Sequence, residues 1–207
     1  MTDIANGHDM EDGYRRGVRL VIHTKIYKSP FGELLIAEKD HGLIGLWIEG
    51  QKYYLSSIKE EMQETKESTV LNQAADWLDR YFAGEQPENS ELPLAPGGSE
   101  FRKEIWQFLC EIPYGEVTTY GEISKAYAKR HGREHMSAQA IGGAIAHNPI
   151  SIIIPCHRVI GTNGDLTGYA GGIDRKVWLL KHENYNGFAD TVANVMCNRK
   201  KHDFSEN

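Results

Sequence analysis

Short apolar runs separated by turn residues dominate the first part of the chain. They cover residues 21–27, 34–37 and 43–48, and turn signals at 29–32 and 39–42 separate them. This spacing predicts three strands of an antiparallel meander. Apolar side chains then recur at helical spacing over residues 69–82, which predicts an amphipathic helix that closes this half, with Gly84 suited to its C-terminal cap.

A segment rich in Pro, Gly and acidic residues, 85–98, separates this half from a helix-rich second half. Its composition predicts a linker. Ser99 follows at a position suited to an N-cap, and apolar residues between 101 and 109 predict a helix that ends by the Pro-Tyr-Gly run at 113–115. We therefore expect two domains, 21–95 and 96–185, flanked by polar tails at 1–20 and 186–207.

Two short helices are predicted next, joined by a Gly-containing turn. Thr119 is placed to cap a helix over Tyr120–Arg130, and Ser137 to cap a second over Ala138–Ala146. The pair has the proportions of a helix-turn-helix motif, in which the second helix enters a DNA groove. This second helix consists almost wholly of small residues, which favours either close helix packing or a close approach to DNA.

Charge is distributed unevenly along the chain, whose net charge is −6. Residues 1–95 carry 10 Lys+Arg and 17 Asp+Glu, whereas residues 96–183 carry 10 and 9. The second half is thus free to approach phosphate, although tight non-specific DNA binding is not predicted.

Other sequence features bear on location and cofactors. The apolar runs are too short to span a bilayer, and the N-terminus has no signal-peptide pattern. Three scattered cysteines, Cys110, Cys156 and Cys197, indicate neither a disulfide framework nor a zinc site. We expect a cytoplasmic protein without membrane association, metal or cofactor.

The candidate chemistry centres on residues 152–160, Ile-Ile-Ile-Pro-Cys-His-Arg-Val-Ile. The apolar run predicts a buried strand that delivers Cys156 behind a proline, next to His157 and Arg158. A thiolate near neutral pH needs cationic or dipolar help, which this segment could supply. A single cysteine is more often a small core residue, so these residues alone leave both interpretations open.

The string Pro-Cys-His-Arg-Val at 155–159 resembles the active-site signature of the O6-alkylguanine-DNA alkyltransferases, or methylated-DNA–protein-cysteine methyltransferases. Further matching blocks follow the family order: PYGEVTTYG at 113–121, AIGGA at 140–144 before Asn-Pro, GYAGG at 168–172, and WLLKHE at 178–183. The resemblance is close over residues 99–184 and loose before them. It implies an α+β fold, with a small N-terminal ribonuclease-H-like antiparallel sheet domain of three strands and a C-terminal winged helix-turn-helix-like domain.

The resemblance also implies DNA repair by irreversible, single-turnover transfer of an alkyl group from O6 of guanine to Cys156. O4-alkylthymine is left open as a second substrate. His157 would activate Cys156 through a water, and Glu183 would fix the tautomer of His157. Asn148 would tie the end of the recognition helix to the active-site loop.

Two more residues match catalytic positions of the family. Tyr120 would push the target phosphate and help to protonate the leaving guanine, and Lys176 would neutralise the developing guanine anion. Arg158 is expected to be mainly structural. The full set of substrate- and DNA-binding positions carried over is Gln139, Ala138, Tyr169, Ala170, Val159, Ile145, Thr119 and Arg158.

The implied partner is double-stranded DNA whose alkylated guanine is rotated out of the helix. Gln139 departs from the family pattern, because many members have an arginine that fills the gap left by the flipped base. Gln139 has no charge and a shorter reach, so DNA affinity and flipping are in doubt, though not the chemistry. We expect a monomer that requires no protein partner.

Three alternatives compete with this interpretation. A non-enzymatic sensor of alkylated bases would lack the acceptor cysteine, whereas this chain has Cys156. A helix-turn-helix transcriptional regulator of this family would carry an extra zinc-binding cysteine domain, and no such cluster occurs in the sequence. A cysteine hydrolase would leave the predicted DNA-facing helix unexplained.

Overall fold

The computed structural model describes residues 21–166, 168–185 and 187 of the 207-residue chain. The predicted tails, apart from residue 187, and Cys197 lie outside the described residues. Within them the fold is α+β, with a small sheet and one helix in the first half and mainly helices in the second. The predicted fold class is therefore confirmed.

The sheet contains the three expected antiparallel strands, β1 (Ile22–Ser29), β2 (Gly32–Lys39) and β3 (Gly42–Ile48). A fourth strand, β4 (Met62–Glu64), pairs in parallel with β1, giving the order β3-β2-β1-β4. The expectation of three strands was therefore one too few. Three exposed residues carry no hydrophobic alternation, so β4 has no sequence signal.

Helix α1 (Thr69–Phe82) packs its apolar side on this sheet. The side chain of Ser68 accepts a hydrogen bond from the backbone N–H of Leu71, which caps its first turn. Gly84 follows the last turn with φ +88°, a conformation that favours glycine. The predicted helix and its C-terminal glycine are confirmed.

The second half contains α2 (Glu100–Cys110), β5 (Thr118–Thr119), α3 (Tyr120–Arg130), α4 (Ala138–Ala146), β6 (Val159–Ile160) and α5 (Ile173–His182). Ser99, Thr119 and Ser137 cap α2, α3 and α4 as predicted, each accepting a hydrogen bond from the backbone three residues ahead. Helices α3 and α4 pack together after a short turn, as the helix-turn-helix prediction requires.

The strand predicted over residues 152–154 was wrong. Residues 151–154 form turns, Ile152 has a φ of +71°, and Cys156–Arg158 form one turn of 3₁₀-helix. The isoleucines are buried by packing in the main core rather than by pairing in a sheet. A short apolar run reports burial, and periodicity alone does not distinguish a buried strand from a buried turn.

The two halves meet along the outer edge of β3. Leu43 exchanges backbone hydrogen bonds with the linker, donating to Pro93 O (2.8 Å) while its own oxygen accepts from Ala95 N (2.8 Å). Leu46 does the same with the loop before Cys156, donating to Pro149 O (2.8 Å) and accepting from Ser151 N (2.9 Å). The N-terminal sheet therefore braces the loop that carries the candidate nucleophile.

Candidate active site

Cys156 lies buried at the start of the 3₁₀ turn, with 6% of its surface exposed. Its backbone N–H donates to Ile154 O at 2.8 Å, which tightens the chain just before the turn. Burial raises the pKa of the Cys156 thiol, while Asn148 and Lys176 act in the opposite direction. The free protein therefore holds Cys156 mainly as a thiol.

Asn148 is the hydrogen-bonding centre of the loop, immediately after α4. Its amide nitrogen donates to Ile154 O (2.8 Å), Ile150 O (3.3 Å) and Cys156 Sγ (3.1 Å), while its oxygen accepts from Ile150 N (3.0 Å). One buried side chain thus supplies partners that a sheet would otherwise provide and touches the thiol directly. Asn148 stands where the resemblance expected it, between the end of α4 and the Cys156 loop.

His157 and Glu183 form a buried pair beneath Cys156. His157 Nε2 lies 2.7 Å from Glu183 Oε1, and both side chains are fully enclosed. Because a carboxylate only accepts, this contact assigns the proton to Nε2 and leaves the lone pair on Nδ1. Nδ1 has no hydrogen-bond partner among the described residues. Burial lowers the pKa of His157 despite the opposing effect of Glu183, so the ring is a neutral base.

Glu183 is held from several sides. Arg158 donates to both of its carboxylate oxygens, from Nε at 2.8 Å and Nη2 at 3.0 Å, and its Nη1 donates to Ile112 O at 2.7 Å. Tyr81, from α1, donates its hydroxyl to Glu183 Oε1 at 2.7 Å. Burial alone would raise the pKa of Glu183, but His157 and Arg158 outweigh it and hold that pKa well below its ordinary value. Glu183 is therefore a fixed negative charge.

Lys176 is fully buried, on α5, and its ammonium donates to Val159 O at 2.6 Å. Burial lowers the pKa of Lys176 from 10.5 to about 8, against the influence of Cys156 and Asp165. The electrostatic coupling between Lys176 and Cys156 acts on both groups. A buried positive charge thus acts on the Cys156 thiol through its electrostatic interaction.

Tyr120 and the glycine-rich loop lie beside Cys156. A Cβ at Gly168, whose φ is +88°, would lie 2.5 Å from the Tyr120 hydroxyl, so this position needs glycine. Burial raises the pKa of Tyr120, and Cys156 and Asp165 add to that rise. The buried Tyr169 ring meets His157 edge-on at 6.4 Å between centroids. Both tyrosines lie near enough to Cys156 to interact with it electrostatically.

Helix α4 presents its first residues to the outside. Ala138 and Gln139 are exposed, whereas Gly142 lies on the side of α4 that faces α3, where a Cβ would be in ordinary contact with the Tyr120 ring at 3.8 Å. Thr119 is half-buried as the cap of α3. The packing explanation of the small-residue helix thus concerns its inner side, and the approach to DNA stays a prediction for its exposed start.

The remaining predicted positions lie elsewhere in the site region. Val159 is fully buried in β6, and the half-buried Ala170 accepts a hydrogen bond from Lys52 N at 2.9 Å. Ile145 is buried in the main core, on the inner side of α4.

Sequence reasoning missed two contributions from the N-terminal half. One is Tyr81, which contacts Glu183. The other is Gln51, buried after β3, whose side-chain oxygen accepts from Ser151 Oγ at 3.1 Å and Ile48 N at 2.8 Å. A polar residue at a turn and a tyrosine on the apolar side of a helix are common in any protein. Nothing in the sequence therefore indicates that they bond to Ser151 and Glu183.

The part of the chain that the structure describes has neither a metal cluster nor a membrane-spanning helix. No cluster of three or more His, Cys, Asp or Glu side chains there could hold a metal ion. None of its helices is long and apolar enough to cross a membrane.

Comparison with known families gives two matches that together span most of the described chain. Residues 100–185 match the family model described as 6-O-methylguanine DNA methyltransferase, DNA binding domain. Residues 22–96 match its companion, 6-O-methylguanine DNA methyltransferase, ribonuclease-like domain.

Individual relatives agree with these matches. A Methanosarcina barkeri protein named methylated-DNA–protein-cysteine methyltransferase is 44% identical over 166 residues, which are 80% of this chain and 99% of the relative. A protein of the same name from Shigella flexneri is 46% identical over 61% of this chain and 71% of its own length.

Solved structures extend the likeness to three dimensions. The Mycobacterium tuberculosis O6-methylguanine methyltransferase superposes with a TM-score of 0.65 at 40% identity, covering 82% of this chain and 96% of that one. A structure of Mycobacterium tuberculosis OGT in complex with DNA gives a TM-score of 0.65 at 39% identity, covering 79% and 92%.

Proposed function

Because the chain belongs to the 6-O-methylguanine DNA methyltransferase family, we propose that it repairs alkylated DNA by moving the alkyl group from O6 of guanine onto Cys156. One observation carries the assignment of the acceptor. Cys156 receives a hydrogen bond from Asn148 and lies next to His157, whose Nδ1 has no partner among the described residues and whose Nε2 is held by Glu183. This is the arrangement of a nucleophile, a base and an orienting carboxylate.

The reaction starts by removing the thiol proton. His157 Nδ1 accepts it, through a bridging water, and Glu183 stabilises the imidazolium that forms because its charge is fixed. Asn148 and Lys176 then stabilise the thiolate, the former by an N–H donor to Sγ and the latter by its charge. Activation thus moves a proton only within the buried site.

The transfer step is an in-line displacement at the alkyl carbon. A bond forms between Sγ and that carbon while the bond from carbon to O6 breaks, and the electron pair stays on the guanine. We assign Lys176 to offset this developing negative charge and the Tyr120 hydroxyl to protonate the leaving base; His157 then releases the proton it took from the thiol, and Tyr120 regains one from solvent. The product is a thioether, which no group in the site can cleave, so each molecule acts once.

The substrate base must leave the duplex to reach a buried sulfur. We assign Thr119, Ala138 and Gln139 to the DNA-facing surface, because Ala138 and Gln139 are exposed at the start of α4 and Thr119 is half-buried at the start of α3, which packs against α4. Tyr169, Ala170, Val159 and Ile145 are proposed to shape the base pocket. All these groups come from one chain, which supports action as a monomer. A cytoplasmic location is proposed because Cys156 must stay reduced.

A pair of cysteine variants tests the acceptor. Cys156→Ser should abolish removal of methyl groups from an O6-methylguanine duplex, while binding of that duplex is retained. Cys110→Ser should leave the transfer unchanged, because burial raises the pKa of the Cys110 thiol to about 11 and keeps it protonated. Full transfer by Cys156→Ser would overturn the proposal. Binding without transfer by the unaltered protein would instead favour a sensor of alkylated bases.

A further inference from the structure

A tyrosine from the N-terminal half reaches the Glu183 carboxylate that orients His157. The Tyr81 hydroxyl donates to Glu183 Oε1 at 2.7 Å, across 102 residues of sequence. The same oxygen accepts from His157 Nε2 at 2.7 Å and Arg158 Nη2 at 3.0 Å. Tyr81 and Glu183 are both 1% exposed, so no solvent competes for this bond.

A second bond joins Tyr81 to the C-terminal end of α5, which Glu183 follows directly. His182 Nε2 donates to the Tyr81 backbone oxygen at 2.6 Å, and the two rings lie 5.1 Å apart. The last residue of α5 and the residue after it therefore both bond to one residue of α1. Two bonds from one residue define the position of Glu183 better than either alone.

The Tyr81 ring is itself held in place by aromatic neighbours. It stacks on Trp77 at 5.4 Å with an interplanar angle of 11°, and it meets Phe82 and Tyr114 edge-on at 5.3 Å and 6.1 Å. Because these contacts involve the ring and not the hydroxyl, replacing Tyr81 by Phe should preserve the packing. The hydroxyl can then be tested separately from the fold.

We propose that Tyr81 is a positioning residue for alkyl transfer, which holds Glu183 in line with His157 and so couples the N-terminal half to the reaction. The inference rests on the proposed function, since it acts through the base that activates Cys156. Glu183 Oε1 accepts three hydrogen bonds, and each reduces the negative charge that this oxygen presents to His157. A smaller negative charge makes His157 hold a proton less tightly. The hydroxyl therefore limits the basicity of His157 as well as fixing Glu183.

The groups facing His157 and Glu183 set what a pH experiment measures. Arg158 and Lys176 act on the pair from the loop and α5, Tyr81 and Tyr114 face Glu183 from α1 and the segment after α2, and Tyr169 meets His157 from the glycine-rich loop. None of the three tyrosines ionises near neutral pH, because burial raises the pKa of each. A change in the acid limb of the reaction therefore reports on His157.

The test compares Tyr81→Phe with the unaltered full-length chain in single-turnover transfer from an O6-methylguanine duplex. The rate should fall by about tenfold, equivalent to one hydrogen bond to a charged group. The acid limb of the rate profile should move up by roughly half a pH unit or more, since His157 becomes more basic. Tyr27→Phe is the matched control, because it removes a 2.8 Å bond to Asp79 of the same helix and should change neither quantity.

A double-mutant cycle separates positioning from general support. In a Glu183→Gln background, Tyr81→Phe should cause no further loss of rate, because its effect passes through the carboxylate. Independent, multiplicative losses, or an unshifted acid limb, would overturn the inference. If the unaltered protein transfers nothing, the proposed function fails. If it transfers and Tyr81→Phe matches it, only the role of Tyr81 fails.

Discussion

Lys176 offers a quantitative test, because keeping its buried ammonium charged has a cost in stability that can be calculated. Burial lowers its pKa from 10.5 to about 8. At about 1.4 kcal/mol per pKa unit, keeping the buried ammonium charged costs the folded state about 3 kcal/mol. Lys176→Met removes that cost, but leaves Val159 O without its donor, which costs about 1–3 kcal/mol. Near neutral pH the two effects should nearly cancel.

The pH dependence of stability distinguishes the cost of the buried ammonium from the cost of the lost hydrogen bond. Between pH 8 and 10.5 the unfolded lysine keeps its proton while the folded one releases it. The unfolded state then binds more protons, so the free energy of unfolding of the unaltered protein rises with pH in this window. Relative to Lys176→Met, it should rise by about 2–3 kcal/mol between pH 7 and pH 10.

Urea denaturation of both proteins at several pH values measures this difference. Lys103→Met is the matched control, because Lys103 is exposed in a pair with Glu100. Its difference in stability from the unaltered protein should not change with pH. Alkyl transfer by Lys176→Met should fall by about tenfold to a hundredfold, and transfer by the unaltered protein should decline above about pH 8, where Lys176 loses its charge. A difference in stability that is independent of pH would refute the reasoning.

Three further substitutions test other parts of the account. Gln139→Arg should speed transfer from duplex DNA by about tenfold, since an arginine can reach the gap that the flipped base leaves, and should speed transfer from a single-stranded oligonucleotide less, because only the added charge acts there; equal gains on both would contradict the assignment. Asn148→Ala should lower the free energy of unfolding by about 2–3 kcal/mol in urea denaturation, because it leaves the buried Ile150 N–H without its acceptor and removes a donor from Ile154 O, and unchanged stability would argue against its place in the loop. Gly168→Ala should slow transfer, because its new Cβ displaces the Tyr120 hydroxyl. Gly50→Ala has a similar φ of +75° and open space around it, so it should lower the melting temperature by the same kind of backbone strain without slowing transfer.

Local signals explain which parts of the fold were predictable. Ser99, Thr119 and Ser137 each satisfy N–H groups of the helix that follows, and that chemistry depends only on neighbouring residues. The glycine after α1 is equally local. Short-range hydrogen bonding and helical periodicity therefore located the helices well.

Long-range partners explain what was not predictable. The apolar run before Cys156 became turns because Asn148 and β3 supply its hydrogen bonds. Tyr81 has the pattern of a core aromatic, and nothing in α1 indicates a carboxylate 102 residues away. Lys176 and Glu183 resemble ordinary helix residues until the structure encloses them. Such contacts depend on tertiary packing, which a single sequence does not report.

The most direct test of alkyl transfer to Cys156 is the intact mass of the protein after reaction with excess duplex carrying one O6-methylguanine. A covalent thioether predicts a gain of about 14 Da, the mass of one methylene. The gain should saturate at one per chain and map to the peptide that contains Cys156. An unchanged mass together with repaired DNA would mean a turnover enzyme, and would contradict the account.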